Sequence, residues 1–217
     1  KINKIFKNSK YFNSYEIIIV NDGSTDEIEN ICINLVKKNF KFQLINLKKN
    51  IGKAHAVETG ILYSKGNYIS IIDSDLQYNP KNLIDMLEKC EQGYCMINGN
   101  RFKRKDDKVT KLFSKIYNLM INVFFNINCK DLFSGIKVFR KEIYDLMEYN
   151  GLVRFVIFFS KKYKFKITEI DVDHNSRFKG KTNYNFAQRI ILSFKDIFTL
   201  FVCIILDKEK IYQLKQL

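Results

Sequence analysis

Short apolar runs alternate along the chain with longer segments in which apolar residues recur every three or four positions. Runs of about five residues rich in β-branched side chains are typical of buried strands, and the longer pattern is typical of helices packed on one face. The predicted strands are 16–20, 42–47, 68–72, 94–98 and about 165–172. The predicted helices are 26–38, 52–64, 80–91, 109–125, 141–148, 151–162 and about 184–206. This alternation predicts an α/β domain with a mostly parallel sheet flanked by helices.

Acidic loops follow two of the predicted strands. Asp73 and Asp75 come directly after strand 68–72, and Asp22 comes directly after strand 16–20. In open α/β sheets ligands bind beyond the carboxyl ends of the strands, and hard divalent cations prefer carboxylate oxygens. The sequence therefore indicates a binding site for Mg2+ or Mn2+, and the metal would bridge to a nucleotide diphosphate. Asp-Ser-Asp also suits an ordinary solvated turn.

Five short motifs then occur in one order. They are Asn-Asp-Gly-Ser-Thr-Asp at 21–26, Asn-Ile-Gly-Lys-Ala at 50–54, Asp-Ser-Asp-Leu-Gln at 73–77, Asp-Leu-Phe-Ser-Gly at 131–135 and Arg-Phe-Lys-Gly-Lys-Thr-Asn-Tyr at 177–184. Together they resemble a family 2 glycosyltransferase with the Rossmann-like GT-A fold, over about residues 5–202. The last two motifs are similar to the branch that includes dolichyl-phosphate mannose synthase and bacterial polyprenyl-phosphate sugar transferases.

The resemblance implies a nucleotide-sugar donor, a UDP- or GDP-hexose, bound with Mg2+ or Mn2+. Asp75 is expected to bind the metal directly, and Asp73 to support it or to contact the ribose. Asp22 is expected to accept a hydrogen bond from the base or ribose, and Lys53 to approach the base or a phosphate. Gln77 completes this set of donor-binding candidates. The metal would stabilise the negative charge that develops on the leaving diphosphate.

A cationic loop near the carboxyl end supplies two further donor-binding candidates. By the same resemblance, Arg177 and Lys181 contact the donor phosphates, and Gly180 between them gives the loop the freedom to close over a bound diphosphate. A polar loop that contains glycine and lysine is also common where no ligand binds.

A run of basic residues follows strand 94–98 and suggests an acceptor site. For most of the run a solvated loop leading into a helix explains the charges equally well. Arg101 differs, because the resembled branch keeps an arginine at this point that faces the acceptor phosphate. Lys111 or Lys115 is the candidate for a second basic contact, and Arg140 is a further candidate with helix capping as its alternative.

Asp131 stands alone where many inverting transferases that act on hydroxyls carry a Glu-Asp pair. A phosphate monoester has a second pKa of about 6 and is already an anion near neutral pH, so it attacks without a general base. The sequence thus favours inverting transfer to a polyprenyl phosphate (dolichyl or undecaprenyl), with Asp131 orienting the basic groups. The alternative is a sugar hydroxyl in cell-surface glycan or lipopolysaccharide assembly, for which Asp131 becomes the general base.

The composition changes this interpretation little. The formal net charge of +14 suggests nucleic acid or an anionic membrane as a partner. A nucleic-acid-binding module is disfavoured, because two carboxylate loops on one sheet edge repel a phosphate backbone and no recognisable nucleic-acid motif is present. The five cysteines lack metal-ligand spacing and indicate reduced, mostly buried thiols in a cytoplasmic setting.

The chain is expected to form one catalytic domain, residues 1–183, followed by an amphipathic segment, residues 184–217. The apolar part of this segment is interrupted by charges and is shorter than the roughly 20 residues of a membrane-spanning helix. It is expected either to lie in a membrane interface with Phe194, Phe198 and Phe201 inserted or to pack into the core. The first alternative predicts a peripheral enzyme at the cytoplasmic face of a membrane.

The start of the chain departs from the resembled pattern. The sequence begins with Lys1, and the strand that the family places ahead of the first helix is missing. In the family fold that strand lies centrally, so its absence leaves two strands without a partner. The sequence therefore predicts an amino-terminal truncation of the catalytic domain.

Overall fold

A computed structural model describes residues 2–11, 13–102, 108–147, 152–175, 195 and 197–202. The strands are β1 (Ile17–Asn21), β2 (Phe42–Asn46), β3 (Tyr68–Ile72), β4 (Met96–Asn100), β5 (Ile136–Arg140) and β6 (Ile167–Asp171). The helices are α1 (Ile2–Lys7), α2 (Ile28–Lys38), α3 (Lys53–Tyr63), α4 (Asn82–Glu91), α5 (Lys108–Phe125), α6 (Lys141–Asp145) and α7 (Val156–Lys162), with a short 3-10 helix at Val153–Phe155.

The described strands form two sheets. β1 and β2 pair in parallel, and the larger sheet has the order β3-β5-β4-β6. β5 runs antiparallel to both of its neighbours, whereas β3, β4 and β6 share one direction. Helices flank the sheets, so the predicted α/β class is confirmed. The five predicted strands are present, most with ends within two residues of the prediction.

The sequence prediction missed β5, which lies in the middle of the larger sheet. Lys137 interrupts the apolar run of this strand, and a lysine is unusual in a buried strand. The structure nevertheless buries Lys137, which lies between residues 71 and 98 of the two neighbouring strands. The insertion of β5 replaces part of the expected parallel pairing with antiparallel pairing.

Two apolar clusters hold the helices against the larger sheet. Alternate residues of β5 enter different clusters, as the period of two in a strand requires: Ile136 and Val138 belong to one, and Phe139 belongs to the other. The first cluster includes residues of α1 and α4, such as Met86. The second includes residues of α3, α5 and α7, together with Leu200.

Of the predicted carboxyl-terminal segment, only residues 195 and 197–202 are described, so its amphipathic character as a whole stays a prediction. Residues 197–202 are helical, and Leu200 is fully buried in the second cluster, with Ile197 packed against it. Phe198 and Phe201 are exposed. The contacts of Leu200 agree with the core-packing alternative, and insertion of the exposed side into a membrane stays a prediction. Phe194 lies outside the described residues. Within the described ranges, no helix is both long and apolar enough to cross a bilayer.

The described cysteines are free thiols, in agreement with the prediction. Cys32, Cys90 and Cys129 are buried, and Cys95 is half-buried. Cys203 lies outside the described residues.

Lys137 is a charged group at the centre of the larger sheet. Its ammonium donates hydrogen bonds to the carbonyl oxygens of Leu132, at 3.0 Å, and Ser134, at 2.5 Å. Burial lowers the pKa of Lys137 to about 8, although the nearby Asp131 carboxylate acts in the opposite direction. The Lys137 side chain therefore joins β5 to the loop before it. Removing its charge from water costs free energy.

We expect Lys137 to make the free energy of unfolding rise with pH between about 8 and 10.5. In this window the unfolded chain binds a proton at this side chain that the folded chain does not, so higher pH relieves the cost of burial. A shift of this size corresponds to on the order of 3 kcal/mol. Urea unfolding at several pH values should show the native protein gaining stability relative to Lys137→Met as the pH increases through this window.

An exposed lysine provides the matched control for this measurement. Lys38→Met, at the end of α2, should leave the stability difference from the native protein constant over the same pH range. A difference between the native protein and Lys137→Met that does not change with pH would contradict a depressed pKa at this position.

Candidate active site

The candidate site begins where β1 and β3 end. Asp22 follows β1, and its carboxylate oxygens accept hydrogen bonds from the backbone N–H groups of Ile51, at 2.8 Å, and Gly52, at 3.0 Å. Lys53 comes next in the chain and forms an ion pair with Asp73, with 2.6 Å between Nζ and Oδ1. The second motif therefore links the acidic loop after β1 to the acidic loop after β3.

The Asp73 carboxylate is held between a cation and a glycine. Lys53 contacts one oxygen, and the other lies against Gly135, where an added Cβ would approach Oδ2 to 2.2 Å. The backbone N–H of Asp73 also donates to the Gly135 carbonyl at 3.2 Å. Any larger residue at position 135 would force the Asp73 carboxylate to move, so the glycine that ends the Asp-Leu-Phe-Ser-Gly motif leaves room for it.

Asp75 sits on a tight and strained turn. Its Oδ1 accepts a hydrogen bond from the Gln77 backbone N–H at 3.2 Å. Leu76 between them has a φ of 63°, a left-handed conformation that costs a bulky residue about 1–3 kcal/mol. Strain of this kind is typical of functional loops.

Gln77 connects this turn to the segment that precedes the cationic motif. Its side-chain amide donates to the Asn175 carbonyl at 3.2 Å, and the Asn175 backbone N–H donates to the Gln77 carbonyl at 2.9 Å. Tyr78 forms a single antiparallel bridge with His174, and the two rings meet edge to face with their centroids 5.1 Å apart. Arg177 and Lys181 lie outside the described residues.

Arg101 and Asp131 form a buried, bidentate ion pair. Nε and Nη2 of Arg101 lie 2.5 and 2.7 Å from the two carboxylate oxygens, and the Arg101 backbone N–H donates to Oδ2 at 3.2 Å. The side chains are only 13% and 5% exposed. Sequence reasoning named both residues for the acceptor side, and the structure brings them together at the carboxyl end of β4.

The loop of residues 129–135, called here the central loop, carries Asp131 and Gly135. Several elements hold its backbone. Asn122 of α5 exchanges hydrogen bonds with the N–H and C=O of Cys129, at 3.0 and 2.7 Å. Asn98 of β4 donates to the Asp131 carbonyl at 2.8 Å. These contacts fix the loop to the sheet and to α5.

Further side chains complete the support of the central loop. Glu169 of β6 accepts from the Lys130 backbone N–H at 2.9 Å and lies 3.0 Å from the Cys129 sulfur, and burial together with this contact raises the pKa of the thiol. The Tyr78 hydroxyl oxygen accepts from the Gly135 N–H at 2.8 Å. Burial also raises the pKa of Tyr78.

Sequence reasoning missed these supporting residues. Asn98 and Glu169 lie in predicted strands and Lys137 lies in the overlooked one, and none of them belongs to a recognisable motif. For Lys137 one signal is available, because it interrupts an apolar run and a polar side chain buried in a sheet requires a partner.

The structure does not bring Arg140 to this site. Because β5 is antiparallel to β3, Ile136 pairs with Ile72 near the acidic loop, whereas Arg140 pairs with Tyr68 at the opposite end of the strand. Arg140 is exposed there and lies 3.9 Å from Glu142. The prediction placed it at the acceptor site because the strand and its direction were not recognised.

Lys111 and Lys115 lie on α5. Lys111 is half-buried and Lys115 is exposed. The stacked rings of Tyr117 and Phe133, with centroids 5.0 Å apart, bring the same helix against the central loop. The two lysines thus belong to an element that contacts the site.

The acidic pair fits a metal that is shared with a bound phosphate. Asp73 and Asp75 supply oxygen ligands, and within the described ranges no group of three or more His, Cys, Asp or Glu side chains is placed to hold a metal ion. Mg2+ and related ions are commonly bound by one or two carboxylates together with substrate phosphates and water. The donor set therefore suits a cation that arrives with a diphosphate.

Comparisons with known proteins show which family this chain belongs to. The profile described as "Glycosyl transferase family 2" matches residues 2–147, more than half of the chain. Undecaprenyl-phosphate 4-deoxy-4-formamido-L-arabinose transferase from Photorhabdus laumondii is 30% identical over 182 residues, which cover 83% of this chain and 56% of that protein. The enzyme of the same name from Shewanella sediminis is 27% identical, with 83% and 55% covered. The chain thus spans about half the length of these curated relatives.

The fold is also that of solved glycosyltransferases. Glucosyl-3-phosphoglycerate synthase from Mycobacterium tuberculosis, in complex with Mn2+, UDP and glucosyl-3-phosphoglycerate, superimposes with a TM-score of 0.66 at 16% identity. The match covers 93% of this chain and 74% of that one. The family match shows that the chain belongs to glycosyltransferase family 2, and the superposition shows that it has the GT-A fold.

Proposed function

We propose that this enzyme transfers a sugar from a nucleotide-sugar to a polyprenyl phosphate, with inversion at the anomeric carbon. The observation that carries the proposal is the buried pair of Arg101 and Asp131. A sugar hydroxyl needs a carboxylate that is placed to accept its proton, whereas Asp131 holds the guanidinium through both of its oxygens. The names of the relatives, which specify undecaprenyl phosphate, support the same acceptor.

On the donor side, Asp75 is the proposed direct metal ligand. Asp73 already pairs with Lys53, so its part is to support the metal site or to contact the ribose. A bound Mg2+ or Mn2+ supplies electrostatic stabilisation of the departing diphosphate. The solved Mn2+ and UDP complex of a protein with this fold supports a divalent cation and a nucleoside diphosphate.

The donor phosphates are proposed to meet the cationic motif as well. Asn175 is hydrogen-bonded to Gln77 of the acidic turn, and Arg177 follows only two residues later in the sequence. The described residue that precedes the motif is therefore held at the acidic turn. We therefore retain Arg177 and Lys181 as donor-phosphate contacts.

On the acceptor side, a phosphate oxygen attacks the anomeric carbon as the bond to the diphosphate breaks. The phosphate is anionic near neutral pH, so the protein needs to position it rather than to remove a proton. Asp131 fixes the plane of the Arg101 guanidinium, which carries five N–H donors and suits a phosphate better than a flexible ammonium does. Lys111 or Lys115 is the proposed second basic contact.

The donor sugar is proposed to be a hexose, carried by UDP or GDP. The relatives' names specify a modified arabinose, which is a pentose, and that sugar therefore belongs in any test of donors. We propose that the enzyme works as a peripheral protein at the cytoplasmic face of a membrane, because its lipid acceptor resides there.

Removal of the metal is expected to abolish transfer. Excess chelator should stop turnover, and Mg2+ or Mn2+ should restore it. Asp75→Asn should lower kcat/KM by at least a hundredfold, and Asp73→Asn should lower it less, since a supporting group acts through its neighbours. Asp85→Asn, an exposed aspartate on α4, is the matched control and should retain activity. Full activity in the presence of chelator would refute the metal assignment.

Labelled donors should distinguish the two possible acceptors. UDP-glucose, GDP-mannose and UDP-4-deoxy-4-formamido-L-arabinose are offered with polyprenyl phosphate and with simple sugars. We expect label in the lipid fraction as a sugar phosphate that mild acid releases. Label that appears only on sugar hydroxyls would overturn the lipid-phosphate proposal and would favour Asp131 as the general base.

Variants of the buried pair sharpen this test. Arg101→Ala should raise the KM for the lipid phosphate at least tenfold and leave the KM for the donor nearly unchanged, because the arginine is proposed to hold the acceptor. Asp131→Asn keeps the shape of its partner and should lower kcat by less than tenfold. A general base would instead cost 10²–10⁴ in kcat, so a loss of that size would count against the proposal.

A further inference from the structure

Helix α5 carries apolar side chains on two opposite faces. On one face, Phe113, Tyr117 and Ile121 recur every four residues toward the core, where Tyr117 and Ile121 are buried. The outward face of α5 is apolar as well. We name the outward face the outer stripe, and it consists of Leu112, Ile116, Leu119 and Val123.

The outer stripe is continuous and well exposed. Its four side chains are between 50% and 70% exposed, and Phe124 beside it is 68% exposed. At about 100° per residue, the four positions fall within roughly 60° of the helix circumference and extend for roughly 16 Å along the axis. Exposed apolar residues scattered singly need no explanation, but a continuous row of this kind indicates an interaction surface.

The charges of α5 indicate the chemistry of the partner. The helix contains no acidic residue, and Lys115 is exposed within one helical turn of Leu112, Ile116 and Leu119. An apolar face with a basic residue at its edge and no acidic residue suits a helix that lies in the interface of an anionic bilayer. A second copy fits less well, because a symmetric contact across the stripe would bring like-charged lysines of two chains of net charge +14 together.

The helix is also joined to the acceptor side of the site. Asn118 donates to the Lys130 carbonyl at 3.1 Å, and Asn122 exchanges two hydrogen bonds with Cys129. Tyr117 stacks on Phe133 of the central loop. A surface that holds α5 therefore also holds the loop that carries Asp131.

We propose that the outer stripe of α5 docks on the surface of an anionic lipid bilayer and so presents the site to a membrane-embedded acceptor. The inference rests on the proposed lipid-phosphate acceptor, but it concerns a surface outside the reacting groups. The apolar side chains enter the interface, and the flanking lysine meets the anionic headgroups. Docking on this helix sets the orientation of the central loop relative to the membrane.

Vesicle flotation tests the proposal directly. The native enzyme should float with vesicles of phosphatidylcholine and phosphatidylglycerol and much less with vesicles of phosphatidylcholine alone. Leu119→Gln combined with Val123→Gln should weaken binding to the anionic vesicles at least tenfold, because burial of each side chain is favourable. Both residues are exposed, so the double variant should fold, and circular dichroism checks this.

A pair of exposed apolar residues on another helix provides the matched control. Ile31→Gln combined with Leu35→Gln removes the same kind of surface from α2 and should leave vesicle binding unchanged. Equal binding by the native enzyme and the α5 double variant would overturn the proposal. It would also be overturned if the native enzyme did not bind vesicles and formed a dimer that the α5 substitutions dissociate, which would make the stripe an interface between copies.

An activity measurement separates this proposal from the proposed function. With a short, water-soluble polyprenyl phosphate, the α5 double variant should transfer sugar at the native rate. With the long-chain acceptor in anionic vesicles, its apparent KM should rise at least tenfold. If neither acceptor is used by the native enzyme, the proposed function fails while flotation still decides the docking surface. Equal loss on both acceptors would assign the substitutions to the site itself and overturn the docking role.

Discussion

The central loop, residues 129–135, passes through the protein without forming a helix or a strand, and most of its residues are buried. Buried backbone N–H and C=O groups need hydrogen-bond partners, and outside regular structure side chains must supply them. Asn122, Asn98, Lys137 and Tyr78 do so here, each from a different element or turn. The position of the loop, and with it the candidate site, therefore depends on several parts of the fold at once.

This support explains how one loop serves both sides of the site. At its start it presents Asp131 to Arg101, and at its end Gly135 packs against the carboxylate of Asp73. Asp73 also forms an ion pair with Lys53, and Gly52 beside Lys53 donates a hydrogen bond to Asp22. These contacts connect the central loop to the acidic loop after β1. The groups proposed to bind the donor and those proposed to bind the acceptor are thus connected through short contacts.

The sequence predicted the strand ends well, because apolar runs followed by turn residues report local structure directly. It also named Arg101 and Asp131 separately, but their pairing required β4 and the central loop to be placed side by side. It did not predict β5, since a lysine in the middle of the strand hides the apolar pattern, and Arg140 was misplaced as a result. A buried charge such as Lys137 is explained only by partners that folding brings together.

The place of β5 in the larger sheet has a consequence for the order in which the chain folds. β5 separates β3 from β4, and β4 in turn pairs with β6, so each strand pair in this sheet joins segments that are tens of residues apart. Among the described strands of this sheet no pair is joined by a hairpin turn, and the chain must close several long loops before these pairings form. Proteins dominated by such distant contacts fold slowly compared with helical bundles. During synthesis, Asp73 and Asp75 therefore emerge well before β5 and the Gly135 that fixes one of them, and the site exists only after the middle strand has entered the sheet.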